Sequence, residues 1–292
     1  MNPVDGSIVI FEGAGHVWSA ISRGYDHPSA HVIAEPYRGP RCERAPLTSV
    51  RIGFLGCIQR RAPLVEKRRI LAVYTPWRIA AVRWERIPEP VRRLALEAGA
   101  DMIGLTGSYS IGCERADSDV DLVLYSRDPI DIAERLRDAA RRRIIKQCSP
   151  ERVLSKRRGR PDYSVSLKHI TASRTESCVE GVPYTLRILR SPEGRPCEAL
   201  SSKRVYAGKA RLFAVLHSRD PDRILIPARY ELEPVRARPS WIIGERVILE
   251  SFRTRYSDIE SGRYYIEGEI FIEDDGTVTV SPDIWGGVWL EK

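Results

Sequence analysis

Residues 107–121 read Gly-Ser-Tyr-Ser-Ile-Gly-Cys-Glu-Arg-Ala-Asp-Ser-Asp-Val-Asp, and the fold prediction depends mainly on this stretch. An apolar run at 102–106 precedes it, and a second one follows up to residue 125. The pattern predicts two short strands with a Gly-Ser turn after the first. Side chains at positions i and i+2 of a strand share a face, so Asp119 and Asp121 are expected to project together.

This arrangement favours a site for a triphosphate and divalent cations. Two neighbouring carboxylates repel each other unless a cation lies between them, and Mg²⁺ prefers carboxylate oxygens together with phosphates and waters. Gly107 allows close backbone approach to a phosphate, and Ser108 offers a hydroxyl and N–H groups. Arg115 is expected to add a contact to the triphosphate. An isolated Asp-x-Asp is usually a solvated turn, but its combination with Gly-Ser at this spacing favours the functional interpretation.

The segment resembles the signature of the DNA polymerase beta-like nucleotidyltransferase superfamily, which is Gly-Ser, a spacer containing glycine (here Gly112), and Ser-Asp-x-Asp-Leu (118–122). The direct resemblance is short, and the surrounding order of helices and strands extends it to about 88–190. It implies a mixed sheet with flanking helices and transfer of a nucleoside monophosphate from a triphosphate such as ATP to an acceptor hydroxyl. Mg²⁺ is the implied cofactor, with Mn²⁺ as a substitute. The whole chain is also similar to archaeal proteins with such a domain.

The resemblance assigns Gly107 and Ser108 to the triphosphate, and Asp119 and Asp121 to metal binding and catalysis. Family members commonly carry a third acid on a neighbouring strand. The matching strand here, residues 184–189, has no acid, and Thr185 occupies the expected place. Two acids outside that strand are substitutes: Asp162, which we take as the third catalytic candidate, and Glu180. Without a third carboxylate the chain would be a non-catalytic nucleotide- or nucleic-acid-binding protein that keeps the fold.

The rest of the chain predicts an α+β protein. Residues 1–80 are rich in strand patterns and are expected to pack on the core; the nucleotidyltransferase domain is expected at 81–200. A connecting strand or the start of a hairpin follows at 201–220, and residues 221–292 predict a small C-terminal β-barrel or sandwich. Helices are expected from about Pro88 to Gly99 and over 130–147.

Composition is typical of a soluble globular protein, with 42% hydrophobic and 29% charged residues. No membrane-spanning run and no secretory leader are recognised, so a cytoplasmic location is expected. Six cysteines without a CxxC pair make a zinc site unexpected. They would be reduced in a cytosolic mesophile or partly paired in a hyperthermophile, and the sequence does not decide between these states.

The charge is unevenly distributed along the chain. Residues 1–220 hold 38 Lys and Arg against 25 Asp and Glu, whereas residues 221–292 hold 9 against 14. The basic region at 127–160 is therefore a candidate surface for RNA or DNA. Charge of this density is equally typical of solvated helix surfaces, and the excess of arginine over lysine also fits genome composition or a thermophilic host.

Overall fold

The computed structural model of the protein describes residues 3–26, 31–55, 60–149, 173–190, 195–196, 204–283 and 286–290. This part of the chain contains both strands and helices, as expected for a mixed α and β protein, and the four α-helices lie between residues 76 and 141. The chain forms two compact units: residues 1–88, 100–127 and 190–204 make the first, and residues 89–99, 128–189 and 205–292 make the second.

The elements are numbered in chain order. The strands are β1 Ile8–Gly13, β2 His16–Asp26, β3 His31–Pro36, β4 Arg51–Leu55, β5 Arg60–Glu66, β6 Ile70–Tyr74, β7 Met102–Thr106, β8 Val120–Tyr125, β9 Ile145–Lys146, β10 Glu176–Val179, β11 Val182–Leu189, β12 Arg195–Pro196, β13 Arg204–His217, β14 Ala228–Arg238, β15 Val247–Ser251, β16 Gly262–Glu273, β17 Val278–Ser281 and β18 Gly287–Leu290. The helices are α1 Pro76–Arg83, α2 Glu89–Glu97, α3 Gly107–Ile111 and α4 Pro129–Arg141.

The first unit contains an N-terminal sheet with the strand order β4-β5-β3-β2-β1-β6, to which β12 adds in parallel along β2. Its core is formed by alternating apolar residues, among them Val9, Phe11, Val32 and Val65. The same unit holds β7 and β8, which pair antiparallel as the alternating pattern predicts. Both apolar runs around the Gly-Ser turn are therefore strands.

The N-terminal segment packs over one face of β7 and β8. The Tyr125 hydroxyl donates to the carbonyl oxygen of Asp5 at 3.0 Å, and the Trp77 ring lies edge-on to the Tyr125 ring, 5.7 Å between centroids. Val123 and Tyr125 are fully buried, but Asp121 on the same face is half-buried. The covered, apolar part of this face thus changes to a partly open, acidic part towards Asp121.

The second unit combines α2, α4 and the antiparallel strands β9, β10 and β11 with a closed β-barrel. Five strands close the barrel in the order β13-β14-β15-β17-β16, because β16 also pairs with β13. Strands β15 and β17 run parallel, and β18 continues along β16. The C-terminal β-structure expected from the sequence is therefore a barrel. Its first strand, β13, lies within 201–220, where a connecting strand or the start of a hairpin is expected.

Both predicted helices form, but only the first ends where the sequence predicts. Helix α2 ends at Glu97, and Gly99 follows with φ +70°, which is the stop signal expected there. Helix α4 ends at Arg141, six residues before the predicted end at 147. Arg143 adopts a left-handed φ of +59°, which a helix cannot continue through, and Ile145–Lys146 then forms β9.

Among the residues that the structure describes, no helix is both long enough and apolar enough to cross a membrane.

Candidate functional site

The Gly-Ser turn and Asp121 are neighbours. Thr106, the last residue of β7, lies directly opposite Asp121 of β8, so the turn begins beside the carboxylate. Gly107 has a left-handed φ of +66°, and a Cβ built on it would collide with the Asp121 carboxylate and lie 3.0 Å from its Cβ. Both the backbone conformation and the space therefore require glycine at this position.

The charges of Asp119 and Asp121 both affect the hydroxyl group of Tyr37. Burial of Tyr37, the charge of Asp121 and, more weakly, that of Asp119 raise the pKa of its hydroxyl, and Arg38 opposes this. Both acids are half-buried, and both lie close enough to Tyr37 for their charges to be felt. The charges of both carboxylates therefore act on one side chain, Tyr37, which follows β3 in the N-terminal segment.

Ser108 is buried in the first turn of the short helix α3. Its carbonyl oxygen accepts from the backbone N–H of Cys113 at 3.0 Å, and the Ser110 hydroxyl donates to the carbonyl oxygen of Gly107 at 2.6 Å. Gly112 ends the helix at φ +76°. The turn is thus held by its own backbone and serine hydrogen bonds, which fixes where Ser108 lies relative to Asp121.

Arg115 lies exposed in the spacer between the turn and Asp119. Its backbone N–H donates to the Ser118 hydroxyl at 2.9 Å, and its carbonyl oxygen accepts from the Ser118 N–H at 2.9 Å. These bonds close a turn and leave the guanidinium on the surface. A disulfide between Cys42 and Cys113, with 5.4 Å between the Cα atoms, anchors the start of the spacer to the N-terminal segment.

Two basic side chains near the turn have no counterpart in the sequence analysis. Arg83 of α1 donates to the carbonyl oxygen of Tyr109 at 3.5 Å, and its guanidinium lies beside Gly112. The Arg38 guanidinium lies 5.5 Å from the centre of the Tyr37 ring and donates to the carbonyl oxygen of Cys42 at 3.0 Å. Tyr37, Arg38 and Arg83 are separated from residues 107–121 by at least 24 positions, and no sequence signal joined them to the motif.

The third carboxylate is not assigned. Asp162 lies outside the described residues. Glu180 occupies the turn between β10 and β11, where it pairs with Arg93 at 2.5 Å. Thr185 is on β11 as predicted, and the residue directly opposite it on β10 is an acid, Glu176.

The donor set at Asp119 and Asp121 fits a hard divalent cation that completes its shell with phosphate oxygens and water. Within the described ranges, no group of three or more His, Cys, Asp and Glu side chains is arranged for a metal ion. Two carboxylates leave most coordination positions of such a cation to phosphate oxygens and water.

The basic region at 127–160 is described as far as residue 149. Along and after α4, four arginines each pair with a carboxylate, which lowers the net positive charge available to a partner: Arg135 with Asp131, Arg137 with Asp220, Arg141 with Asp138 and Arg142 with Glu97. This part of the region is therefore less basic than its residue count indicates.

No protein-family model, curated protein or solved structure matches this chain.

Proposed function

We propose that this protein is a metal-dependent nucleotidyltransferase that transfers a nucleoside monophosphate from a nucleoside triphosphate to an acceptor hydroxyl. The observation that carries the proposal is the juxtaposition of Asp121 and Gly107, with Asp119 acting on the same neighbouring phenol. We further propose that β7, α3 and β8 belong to a nucleotidyltransferase-type sheet.

In this proposal each residue has a defined task. Gly107 allows the backbone to approach the triphosphate, Ser108 offers donors to its oxygens, and the exposed Arg115 guanidinium reaches its outer phosphates. Asp119 and Asp121 hold Mg²⁺ or Mn²⁺. When bound, the metal would lower the pKa of the attacking hydroxyl and neutralise charge on the leaving pyrophosphate.

The acceptor class follows from charge. The first 220 residues carry a net excess of basic side chains, and this excess favours an acidic acceptor such as RNA or DNA. A cytoplasmic location stays a prediction.

The test is a transfer assay with labelled triphosphates, Mg²⁺ or Mn²⁺ and a pool of RNA. Asp119→Asn and Asp121→Asn remove the charges without changing side-chain size, and each should lower transfer at least about 100-fold, the scale of losing a charge that stabilises the transition state. Asp117→Asn is the matched control, because this exposed acid lies in the same spacer. Transfer that survives in both site variants would place the chemistry elsewhere.

A second function is favoured by one observation: β11 carries no acid among its residues, Val182–Leu189. A protein of this kind would bind nucleotide and metal without transfer. Calorimetric titration of Mg²⁺·ATP separates the two functions. Binding that requires Asp119 and Asp121, in a protein with no transfer to any acceptor, would establish the non-catalytic one.

A further inference from the structure

The C-terminal barrel has a connectivity of its own. Strands β13, β14 and β15 are sequential neighbours, and β16 returns to lie beside β13, which makes a Greek key. Strand β17 then fits between β15 and β16 and closes the ring. Five-stranded Greek-key barrels include domains that bind oligonucleotides on an outer strand face. Architecture alone does not assign a ligand, so the outward side chains decide.

A row of side chains crosses β18 and three strands of this barrel, β16, β13 and β14. Trp289 of β18 lies directly opposite Tyr265 of β16, with 5.6 Å between ring centres. On β13, Arg211 contacts Glu267 of β16 at 3.0 Å, and Arg238 of β14 lies directly opposite Arg211. The charges of Arg211 and Arg238 both act on the Tyr265 phenol, so the row is continuous. At roughly 4.8 Å between strands, it extends over about 14 Å.

Two arginines directly opposite each other on one face are unfavourable in isolation, because like charges across a strand pair repel. Arg211 and Arg238 are both exposed, and one carboxylate, Glu267, contacts Arg211. An anion placed between the two guanidiniums would relieve this repulsion and accept hydrogen bonds from both.

Most of the charged side chains around this row are also basic. The charged outward positions two residues along the strands from the row are Lys209, Arg236, Arg263 and Glu269, of which three are basic and one is acidic. The face is therefore basic, although residues 221–292 as a whole are acidic. The aromatic pair beside these basic side chains consists of the exposed Tyr265 and the half-buried Trp289, which also packs against the barrel core. A basic face beside such a pair is typical of surfaces that hold phosphates and stack bases.

We propose that this face, which we name the Arg211 face (Arg211, Arg238, Tyr265, Glu267 and Trp289), binds single-stranded nucleic acid. Arg211 and Arg238 contact backbone phosphates, and Tyr265 with Trp289 provides a platform for bases. Glu267 holds Arg211 and accepts from the Tyr265 hydroxyl at 3.0 Å, which orients both side chains. The site does not depend on nucleotide transfer and belongs to the second unit.

The experiment measures fluorescence anisotropy of labelled oligo-dT and oligo-U with the full chain, in EDTA and without triphosphate. The variant Asp119→Asn with Asp121→Asn should bind the oligonucleotides as the wild type does. Failure of oligonucleotide binding is therefore distinguishable from failure of the proposed nucleotide transfer. Arg211→Ala with Arg238→Ala should lower the slope of log affinity against log salt by about 1.4, which corresponds to two single-strand phosphate contacts. Tyr265→Leu should weaken binding at least about fivefold, because a stacked base is lost.

The matched control is Arg219→Ala with Arg246→Ala, which removes the same charge from exposed positions of the barrel segment outside the Arg211 face. These variants should keep the wild-type salt slope, and thermal unfolding should be the same for all of them. Absence of oligonucleotide binding by the full chain would overturn the proposal, as would equal losses in the two double variants. Equal affinity for duplex DNA would also overturn it. Displacement of the oligonucleotide by poly-glutamate, with no effect of Tyr265→Leu, would assign the face to an acidic protein instead.

Discussion

At the scale of single residues, both the backbone conformation and the geometry of the site require glycine at position 107. Gly107→Ala would impose a left-handed φ on a residue with a Cβ and push that Cβ into the Asp121 carboxylate. Gly181→Ala is a matched control, because Gly181 has φ +81° and open space around its Cα. We expect both variants to lose about 1–2 kcal/mol for the left-handed backbone. Gly107→Ala should lose about 1–3 kcal/mol more by overpacking, and its transfer activity should fall as well.

Urea unfolding and the transfer assay measure the two effects separately. Equal destabilisation in both variants, with activity retained in Gly107→Ala, would show that the close approach of residue 107 to Asp121 has no role in the site.

Residues that are close in sequence were predictable, and residues brought together by tertiary structure were not. The spacing of Gly107 and Asp121 follows from strand alternation around one turn, so their juxtaposition needs only local rules. Tyr37 approaches Asp119 and Asp121 from the segment that follows β3, 82 positions before Asp119 in the chain. Sequence patterns also do not predict which residues of two paired strands lie opposite each other. The sequence offered Asp162 and Glu180 as a third acid but gave no signal for Glu176, which lies opposite Thr185 on the adjacent strand.

At the scale of elements, the spacer between α3 and β8 is anchored to the N-terminal segment by the Cys42–Cys113 disulfide. Cys42→Ser with Cys113→Ser opens a cross-link between positions 71 residues apart. Because the cross-link restricts the conformations of the unfolded chain, its removal should destabilise the protein by roughly 4 kcal/mol. Because the bond fixes the spacer, the KM for triphosphate should rise.

The Cys148–Cys178 disulfide is the control for that variant, because its residues lie 30 positions apart and outside the motif. Its removal should cost roughly 3–4 kcal/mol and leave the KM unchanged. The same rise in KM for both pairs would mean that general loosening, and not the position of the spacer, controls substrate binding. Urea unfolding and initial-rate kinetics supply the measurements.

Element types were more predictable than element ends and closure. The strands β7, β8 and β11 and the helix α2 follow from apolar periodicity and from Gly99. Helix α4 is shorter than its basic pattern indicates, because charge does not specify where a helix ends and Arg143 has a left-handed φ. Barrel and sandwich share the same alternating pattern, so the pairing of β13 with β16 that closes the barrel could not be derived from the sequence.

At the scale of the whole molecule, a buried ion network supports the second unit. Arg174 is 4% exposed and forms hydrogen bonds to both Asp220 and Asp258, while Arg137 and Arg223 complete the network. Arg174→Leu would leave Asp258 buried without its main partner and should destabilise the protein by about 3–5 kcal/mol. Arg135→Ala, which breaks an exposed pair with Asp131, should cost only about 0.3–0.5 kcal/mol. Similar losses in urea unfolding would show that Arg174 acts as an ordinary surface cation.

The same network predicts how stability depends on pH. Burial alone would raise the pKa of Asp220, but the hydrogen bonds and charges of Arg174, Arg223 and Arg137 outweigh it and hold that pKa below its usual value. A carboxyl group with a lowered folded-state pKa binds its proton more readily when unfolded. Its contribution is therefore complete above the unfolded pKa of about 3.9 and is lost as the pH falls towards the folded value. Below about pH 4 the free energy of unfolding should fall by up to about 1.4 kcal/mol per pH unit for this proton.

Urea unfolding between pH 3 and pH 7 tests this, with Asp220→Asn as the comparison. The variant should be less stable at pH 7 and should lose less stability on acidification, because it lacks the titrating group. Parallel pH profiles for the two proteins would place the acid-sensitive proton on another carboxylate, and the ion network around Arg174 would then contribute to stability without making it pH-dependent.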